Sequence, residues 1–219
     1  MMKNIVYVIE ISESLDPQQN ILVNFVAEEK KRQLSKYHFN IDMKLSLYAE
    51  LLIRCQICKQ LFISNQEIIF DKTNSGKPYL HGYSNFYFNI SHTRTAIVVA
   101  LSDQEIGVDI EKIKQANFEI TCRFFTELEQ KYVLDSHDKD KAFYEIWTKK
   151  EAYLKYMGNG LKMPLTSFDV KQSKIKSKIV TFQHNNYLIS VCSGKNGTEF
   201  DVLKLFESQI VDMALTTLK

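Results

Sequence analysis

Apolar residues along the chain follow two spacings, and each spacing predicts a different element. Residues 5–11 form a short apolar run typical of a buried strand, whereas residues 42–62 carry Leu47, Leu51 and Leu61 at helical spacing. The same reasoning predicts further helices over 20–36, 118–134 and 141–157, further strands over 68–70, 86–90, 95–101 and 106–113, and a turn over 74–78. From residue 168 onward the pattern predicts mostly strands joined by polar turns.

The second part of this element order partly repeats the first. Each long helix, 42–62 and 141–157, is followed by a turn that contains Gly, Lys and Pro, and each turn leads into strands. We therefore expect an α+β fold of two similar halves related by a pseudo-two-fold axis, each a small, mostly antiparallel sheet packed with a long helix. The expected halves are residues 1–105 and 106–219, with the active-site cleft between them. Because one chain then supplies both walls of the cleft, we expect a monomer.

Composition and charge indicate a globular chain without a general affinity for polyanions. It has 219 residues, of which 45% are hydrophobic, and a net charge of +2, so neither nucleic acid nor a membrane is an expected partner. No apolar run approaches the ~20 residues of a membrane span, and the N-terminus lacks the features of a signal peptide. The four cysteines lack the spacing of a zinc site, and free cysteines fit a cytoplasmic location.

Two acidic residues, Asp109 and Glu111, lie two positions apart in the predicted strand over 106–113. Side chains at i and i+2 share a face, so Val108 and Ile110 are expected to face the core while both carboxylates face outward together. Paired carboxylates suit Mg²⁺, which keeps further positions for phosphate and water. The same pattern also fits an ordinary strand with a solvated acidic face.

A second group of charged residues lies on the predicted helix over 141–157. Trp147, Glu151 and Lys155 fall at i, i+4 and i+8, along one stripe. In a cleft, Glu151 can complete a metal site or take a proton, and Lys155 can hold a phosphate. A surface ion pair between Glu151 and Lys155 is the alternative interpretation of this spacing.

Ser91, His92 and Thr93 follow an apolar strand and precede another, which places them near a strand end or a turn. They offer two hydroxyl groups and an imidazole, all of which can donate hydrogen bonds to phosphate oxygens. Taken alone, the segment also fits a turn without a ligand.

Several cations form the last group of candidate anion contacts. Lys30 lies on the first predicted helix and Lys44 at the start of the second. Gly76, Lys77 and Pro78 form a tight turn that can direct a lysine and backbone N–H groups toward an anion. Helical lysines also occur commonly on solvated faces.

The four groups occur in one order along the chain. A Gly-Lys-Pro turn is followed by an Asn-Ile-Ser-His segment, a Gly-Val-Asp-Ile-Glu strand and a Trp-x-x-Lys-Glu-x-x-x-Lys helix. This ordered set resembles the 4′-phosphopantetheinyl transferases, and in particular the surfactin-type branch, whose chains have two pseudo-symmetric halves. The resemblance spans about residues 20–170, and the set is specific although each motif is weak alone.

The resemblance implies an enzyme that transfers the 4′-phosphopantetheine arm of coenzyme A to a serine of an apo acyl or peptidyl carrier protein and releases adenosine 3′,5′-bisphosphate. It implies a Mg²⁺ site, with Mn²⁺ as the alternative ion, formed by Asp109, Glu111 and Glu151. These three residues and Lys155 are the implied catalytic group, in which Glu151 is the favoured base. The implied coenzyme A contacts are Lys30, Lys44, Gly76, Lys77, Pro78, Ser91, His92, Thr93 and Lys155.

Two positions depart from the family pattern. Leu45 stands where the family often has an arginine, with Lys44 beside it, and Gln33 stands near a second family cation, with Arg32 beside it. Because successive helical residues point about 100° apart, the neighbouring cations need not reach the same 3′-phosphate. The departures motivate an alternative, a non-catalytic coenzyme A-binding module of the same fold. A different Mg²⁺-dependent phosphoryl-transfer enzyme is a third hypothesis. The absence of a G-x-x-x-x-G-K-[ST] loop weighs against a P-loop nucleotidase.

Overall fold

The computed structural model describes residues 4–14, 18–158, 160 and 163–219. In that part of the chain the strands are β1 (Ile5–Glu10), β2 (Phe70–Lys72), β3 (Pro78–Leu80), β4 (Tyr87–Thr93), β5 (Ala96–Ser102), β6 (Ile106–Lys112), β7 (Ile179–His184), β8 (Tyr187–Ser193) and β9 (Asp201–Leu205). The helices are α1 (Gln19–Leu22), α2 (Glu28–Leu34), α3 (Asn40–Leu61), α4 (Glu119–Phe124), α5 (Glu127–Asp135), α6 (Lys139–Met157), α7 (Ser173–Lys176) and α8 (Glu207–Thr217). None of the described helices is both long enough and apolar enough to cross a membrane.

The first half is built on a four-stranded sheet in the order β4-β5-β1-β9. Neighbouring strands are antiparallel except β1 and β9, which run parallel. Along β1, Tyr7 and Ile9 pack on the α3 side of the sheet while Val6 and Val8 point to the opposite face, as the two-residue period of a strand requires. Helix α3 is buried along most of its length between this sheet and α8. β2 and β3 form a separate two-stranded ribbon.

The second half has a three-stranded antiparallel sheet in the order β6-β8-β7, with α6 on one face. Its other face packs against the first sheet through small and branched apolar residues, among them Val98, Val108 and Val191. The layers therefore follow the order helix, sheet, sheet, helix, and β5 and β8 are buried along their whole length. This arrangement confirms the predicted α+β fold of two sheet-and-helix halves.

The end of the chain, which the prediction assigns to the second half, 106–219, lies against the first half. Ile5 of β1 lies opposite Asp201 of β9, and Ile9 lies opposite Leu205. After β9 the chain forms α8 in place of the expected strands, and Ile210 and Ala214 of this helix are fully buried. Within residues 201–217, β9 thus completes the first sheet and α8 covers α3. The buried residues of α8 are four positions apart, a spacing that suits a helix packed on another helix.

Two of the predicted helices are interrupted. The segment 20–36 is divided into α1 and α2 by extended backbone at Val26 and Ala27. The segment 118–134 is divided into α4 and α5 where Phe125 is extended. Thr126 then starts α5 with a capping box, since it accepts a hydrogen bond from the Glu129 N–H while the Glu129 carboxylate accepts one from Thr126.

Candidate active site between the two halves

Gly107 lets helix α6 pack directly against strand β6. A Cβ atom on residue 107 would lie 2.1 Å from the carbonyl oxygen of Ala152, far inside the distance at which nonbonded atoms touch. Only a residue without a side chain fits between the two backbones. The close approach places Glu151 and Lys155 of α6 beside the strand that carries Asp109.

Asp109 and Glu111 share one face of β6, as predicted, but the expectation that this face points outward is wrong. Helix α6 covers it, so the Asp109 side chain is only 7% exposed and Glu111 is half-buried. Val108 and Ile110 occupy the opposite face, between the two sheets. The alternative of a solvated acidic face is therefore excluded for Asp109.

Three of the predicted residues, each from a different element, meet in one hydrogen-bonded triangle. The Ser91 hydroxyl of β4 donates to Asp109 Oδ1 at 2.8 Å. The Lys155 ammonium of α6 donates to the same oxygen at 2.7 Å and to Ser91 Oγ at 2.8 Å. Because β4 belongs to the first half and β6 and α6 to the second, the triangle lies at the junction of the halves.

The acidic residues around this triangle are short of positive charge. Asp109 Oδ2 is buried and has no hydrogen-bond partner among the described residues. Burial, reinforced by the negative charge of Asp109, raises the pKa of Glu111 to about 7. The same two causes raise the pKa of Glu151. Each raised pKa means that the deprotonated carboxylate is disfavoured at this place unless a cation joins it.

The donor chemistry of these three carboxyl groups fits a hard divalent cation. Mg²⁺ prefers carboxylate oxygens and water, and a bound cation would satisfy the unpaired Asp109 Oδ2. Within the described residues, however, no three His, Cys, Asp or Glu side chains are already arranged as a metal-ligand set, and Lys155 occupies the Oδ1 side of Asp109. Asp109, Glu111 and Glu151 are the residues that would hold an ion here.

A cavity of about 280 Å³, which we term the junction pocket, opens beside these residues. It is lined from the first half by the turn 75–78 and by Asn89, and from the second half by Glu151 and Lys155. Both halves therefore contribute walls to it.

The turn 75–78 is held against the second half. Gly76 has a φ of 86°, in the left-handed region that favours glycine. Lys77 Nζ donates to the carbonyl oxygen of Ile106 at 3.0 Å and forms an ion pair with Glu105 at 2.8 Å, and Ser75 donates to the carbonyl oxygen of Gly158. Lys77, predicted as an anion contact, thus lines the pocket, but its ammonium group is already bound to Glu105 and to the carbonyl oxygen of Ile106.

A larger cavity of about 520 Å³, termed the α3 groove, lies next to the junction pocket. Pro78 and Ile90 contribute to the walls of both cavities. Lys30, His92 and Leu45 line the groove, and its volume is in the range of small-molecule and cofactor sites. The structure thus brings the predicted residues Lys30 and His92 to the α3 groove and Lys155 to the neighbouring junction pocket.

Lys44, predicted to contact coenzyme A, is instead a structural residue. Its side chain is 3% exposed and forms an ion pair with Glu207 of α8 at 2.6 Å. Its ammonium group also donates to the carbonyl oxygens of Ser12 and Ser14, at 3.1 and 3.0 Å. The next residue, Leu45, lines the α3 groove, and the rotation of about 100° per helical residue explains why Lys44 does not.

Thr93 also lies apart from both cavities. Its hydroxyl accepts a hydrogen bond from the Thr95 N–H at 3.3 Å, within the β4–β5 turn. The described lining of the junction pocket and of the α3 groove does not include Thr93, so its predicted role as a ligand contact has no support in the geometry.

Asn89 is a site residue that sequence reasoning missed. Its side chain is buried, lines the junction pocket and accepts a 2.8 Å hydrogen bond from the Val108 N–H. The available signal was its position two residues before Ser91 in a strand, because residues at i and i+2 share a face.

Comparison with known proteins matches both halves of the chain to one family. Residues 14–104 match the family described as 4′-phosphopantetheinyl transferase, N-terminal, and residues 105–210 match the 4′-phosphopantetheinyl transferase superfamily. The 4′-phosphopantetheinyl transferase Sfp of Bacillus subtilis (strain 168) is 33% identical over 170 residues, which cover 76% of this chain and 75% of that protein. The chain belongs to the 4′-phosphopantetheinyl transferase superfamily.

Two further relatives are also phosphopantetheinyl transferases. The 4′-phosphopantetheinyl transferase gsp of Aneurinibacillus migulanus is 34% identical over 162 residues, covering 73% of this chain and 68% of that protein. The L-aminoadipate-semialdehyde dehydrogenase-phosphopantetheinyl transferase of Mus musculus is 28% identical over 206 residues, covering 87% of this chain and 67% of that protein. The predicted family and its Sfp type are confirmed. The chain is an enzyme, a 4′-phosphopantetheinyl transferase, so the non-catalytic alternative is not retained.

Proposed function

We propose that the transferase moves the 4′-phosphopantetheine arm of coenzyme A to a serine hydroxyl of an apo acyl or peptidyl carrier protein. The observation that carries this proposal is the ion pair of Lys155 with Asp109 at a pocket that Lys155 and Glu151 line, next to a groove of ligand size. The acidic group fits a pyrophosphate-bound cation, and the volume of the α3 groove fits the adenosine part of the donor. The released product is adenosine 3′,5′-bisphosphate.

In this reaction the serine oxygen forms a bond to the phosphorus that carries the pantetheine arm. The bond between that phosphorus and the oxygen bridging to the nucleotide breaks, and the nucleotide leaves with the bonding electrons. Glu151 accepts the serine proton, a role that suits a carboxylate whose pKa is raised by burial and by Asp109. Lys155 lies within reach of the same pocket and stabilises the negative charge of the phosphates.

A metal ion would complete this charge balance. Asp109, Glu111 and Glu151 would hold Mg²⁺, with Mn²⁺ as the alternative, and the bound ion would neutralise charge on the pyrophosphate. Without an ion, the carboxylates would repel the phosphates of the donor. Lys155 keeps Asp109 in place through its 2.7 Å contact.

The α3 groove accounts for the rest of the donor. Lys30 and His92 face the groove and supply contacts for the phosphate on the ribose. The apolar part of the wall, which includes Leu45, Ile53 and Phe88, suits the purine ring. Gly76, Lys77 and Pro78 line the junction pocket, and Pro78 also lines the groove.

The proposal also includes the oligomeric state of the enzyme and its location in the cell. A single chain supplies both walls of the junction pocket, which supports a monomer. The cysteines, three of them buried and Cys122 exposed, are all free, which supports a reducing compartment such as the cytoplasm.

The test is a transfer assay with a panel of apo carrier domains from fatty acid, polyketide and nonribosomal peptide synthesis. Each carrier is incubated with the transferase, coenzyme A and Mg²⁺, and intact mass spectrometry measures addition of the arm. We expect addition to at least one carrier type, and its loss when a chelator removes the metal. A carrier whose acceptor serine is changed to alanine is the control. An unchanged mass across the whole panel would refute the proposal.

A further inference from the structure

A negatively charged residue, Glu50, lies inside the α3 groove and binds the lysine that faces it. Glu50 Oε2 is 3.2 Å from Lys30 Nζ, and both side chains are less than one fifth exposed, at 13% and 17%. The other carboxylate oxygen, Oε1, accepts a 2.9 Å hydrogen bond from Arg54 Nε. Glu50 and Arg54 lie at i and i+4 on α3, so one carboxylate is shared between two cations.

These contacts occupy most of the hydrogen-bonding capacity of Lys30. An ammonium group has three donors. One donates to Ser46 Oγ at 2.8 Å, and a second points to Glu50. Among the described residues nothing further binds Lys30, so a single donor is left for a phosphate unless Glu50 releases it.

Arg54 does not offer a second cation to a ligand. It is 2% exposed, and besides its bond to Glu50 it donates to Asn65 Oδ1 at 3.0 Å. Its guanidinium group also lies 5.1 Å from the centre of the Phe70 ring. Arg54 can therefore keep hold of Glu50 while Lys30 changes partner.

The formal charges of the groove balance. Its described lining contains three cations, Lys30, Arg54 and Lys72, and three anions, Glu29, Glu50 and Asp71. A groove that binds a phosphate strongly has an excess of positive charge, and here Glu50 removes that excess at the position of Lys30.

We propose that Glu50 is a specificity-determining residue that competes with the 3′-phosphate of coenzyme A for Lys30. This inference rests on the proposed function, since it assumes that the nucleotide end of the donor lies in the α3 groove. Glu50 reduces the difference in binding affinity between a donor that carries the 3′-phosphate and one that lacks it. Removal of the Glu50 charge frees Lys30 and increases that difference.

The test compares coenzyme A with dephospho-coenzyme A, which lacks the 3′-phosphate, in the wild type and in Glu50→Gln. The glutamine oxygen still accepts the hydrogen bond from Arg54, so the local fold is kept. Isothermal calorimetry measures binding of each nucleotide without a carrier, and the transfer assay measures KM. We expect Glu50→Gln to bind coenzyme A roughly three- to tenfold more tightly, the size of an ion-pair contribution of about 1 kcal/mol. Binding of dephospho-coenzyme A is expected to stay unchanged.

Glu29→Gln is the matched control, because Glu29 lines the same groove and the substitution makes the same change in net charge. Its ion pair is with Lys72, at 3.9 Å, and both side chains are exposed. We expect no change in the ratio of the two affinities. Equal tightening for both nucleotides, or an equal effect of Glu29→Gln, would overturn the inference. Absence of transfer by the wild type overturns the proposed function instead, and the calorimetric ratio still decides the role of Glu50.

Discussion

The side-chain oxygen of Asn89 accepts a 2.8 Å hydrogen bond from the backbone N–H of Val108. This bond joins β4 of the first half to β6 of the second, although the two strands belong to different sheets. The bond lies next to two residues of the candidate site. Ser91 is two positions after Asn89, on the same face of β4, and Asp109 directly follows Val108 in β6. Asn89 thus fixes the position of β6 relative to β4, and with it the position at which Asp109 meets Ser91 and Lys155.

Asn89→Ala is expected to destabilise the transferase by about 1–3 kcal/mol, because the buried Val108 N–H loses its acceptor. We also expect kcat to fall, since Asp109 is no longer held opposite Ser91. Urea denaturation measures the free energy of unfolding, and the transfer assay measures kcat. A variant with wild-type stability and rate would show that the bond contributes to neither.

Gly107→Ala is expected to be more damaging than its single methyl group suggests. The added Cβ would meet backbone atoms of Ala152 and Tyr156, at 2.1 and 2.2 Å, so α6 must move away from β6. Overpacking of this kind costs about 1–3 kcal/mol or more, and the displacement of Glu151 should abolish most activity. Gly194→Ala is the control, because its Cβ would meet the flexible Gln104 side chain at 3.4 Å. Equal melting temperatures for both variants would contradict the close approach of α6.

Asp109→Asn removes one carboxylate from the acidic group and leaves its shape. Asn keeps an oxygen for the hydrogen bonds from Ser91 and Lys155, so we expect the fold to be retained. Activity should fall on the order of a hundredfold or more, because loss of a ligand exceeds the 10–100-fold effect of groups that only orient ligands. The assay is transfer at several Mg²⁺ concentrations, with circular dichroism as the check of folding. Activity near the wild-type value at all Mg²⁺ concentrations would refute the assigned metal site.

The affinity for Mg²⁺ is expected to rise with pH. Burial and the charge of Asp109 raise the pKa of Glu111 to about 7, so below this pH the carboxyl group is mostly protonated and a cation must displace the proton. Affinity should therefore increase between about pH 6 and pH 8 and level off above, with proton release on binding near neutrality. Calorimetry in buffers of different ionisation enthalpy counts the protons. In Glu111→Gln the pH dependence should be weaker, and an unchanged profile would show that another group causes it.

Lys44→Ala is expected to destabilise the fold without altering binding of coenzyme A. It leaves Glu207, whose side chain is 23% exposed, without its cation partner. Breaking a buried ion pair costs about 3–5 kcal/mol, and partial exposure of Glu207 places the expected loss toward the lower end of this range. The double variant Lys44→Met, Glu207→Gln should recover part of the stability. A large rise in KM for coenzyme A with normal stability would restore the role of Lys44 as a ligand contact.

The spacing of apolar residues correctly predicted those helices and strands whose burial follows their own local pattern. Helix α3 has neither Gly nor Pro between residues 40 and 61, and the structure extends the predicted helix, 42–62, by two residues at its start. The break at Phe125 was missed, although Thr126 and Glu129 carry the spacing of a capping box. Helix α8 was missed because its apolar residues bury themselves against α3, a partner distant in sequence.

For the candidate site, the sequence indicates which residue types take part but not how their side chains are directed. Asp109, Glu111, Glu151 and Lys155 follow from motif order, but the direction of their side chains depends on how closely α6 approaches β6. Likewise, Lys44 differs from Lys30 only by tertiary context: one lysine faces Glu207 and the other faces the α3 groove. A charge balance such as that around Glu50 involves contacts between elements, which a single sequence does not display.

The parallel pairing of β9 with β1 has a consequence for synthesis of the protein. A ribosome makes the chain from its first residue, so β1 and α3 emerge long before residues 201–217, which lie against them. During that interval β1 is an edge strand and one side of α3 is exposed, a state prone to association with other chains. The first half therefore cannot be completed before residues 201–217 have been made, and until then its apolar surface stays uncovered.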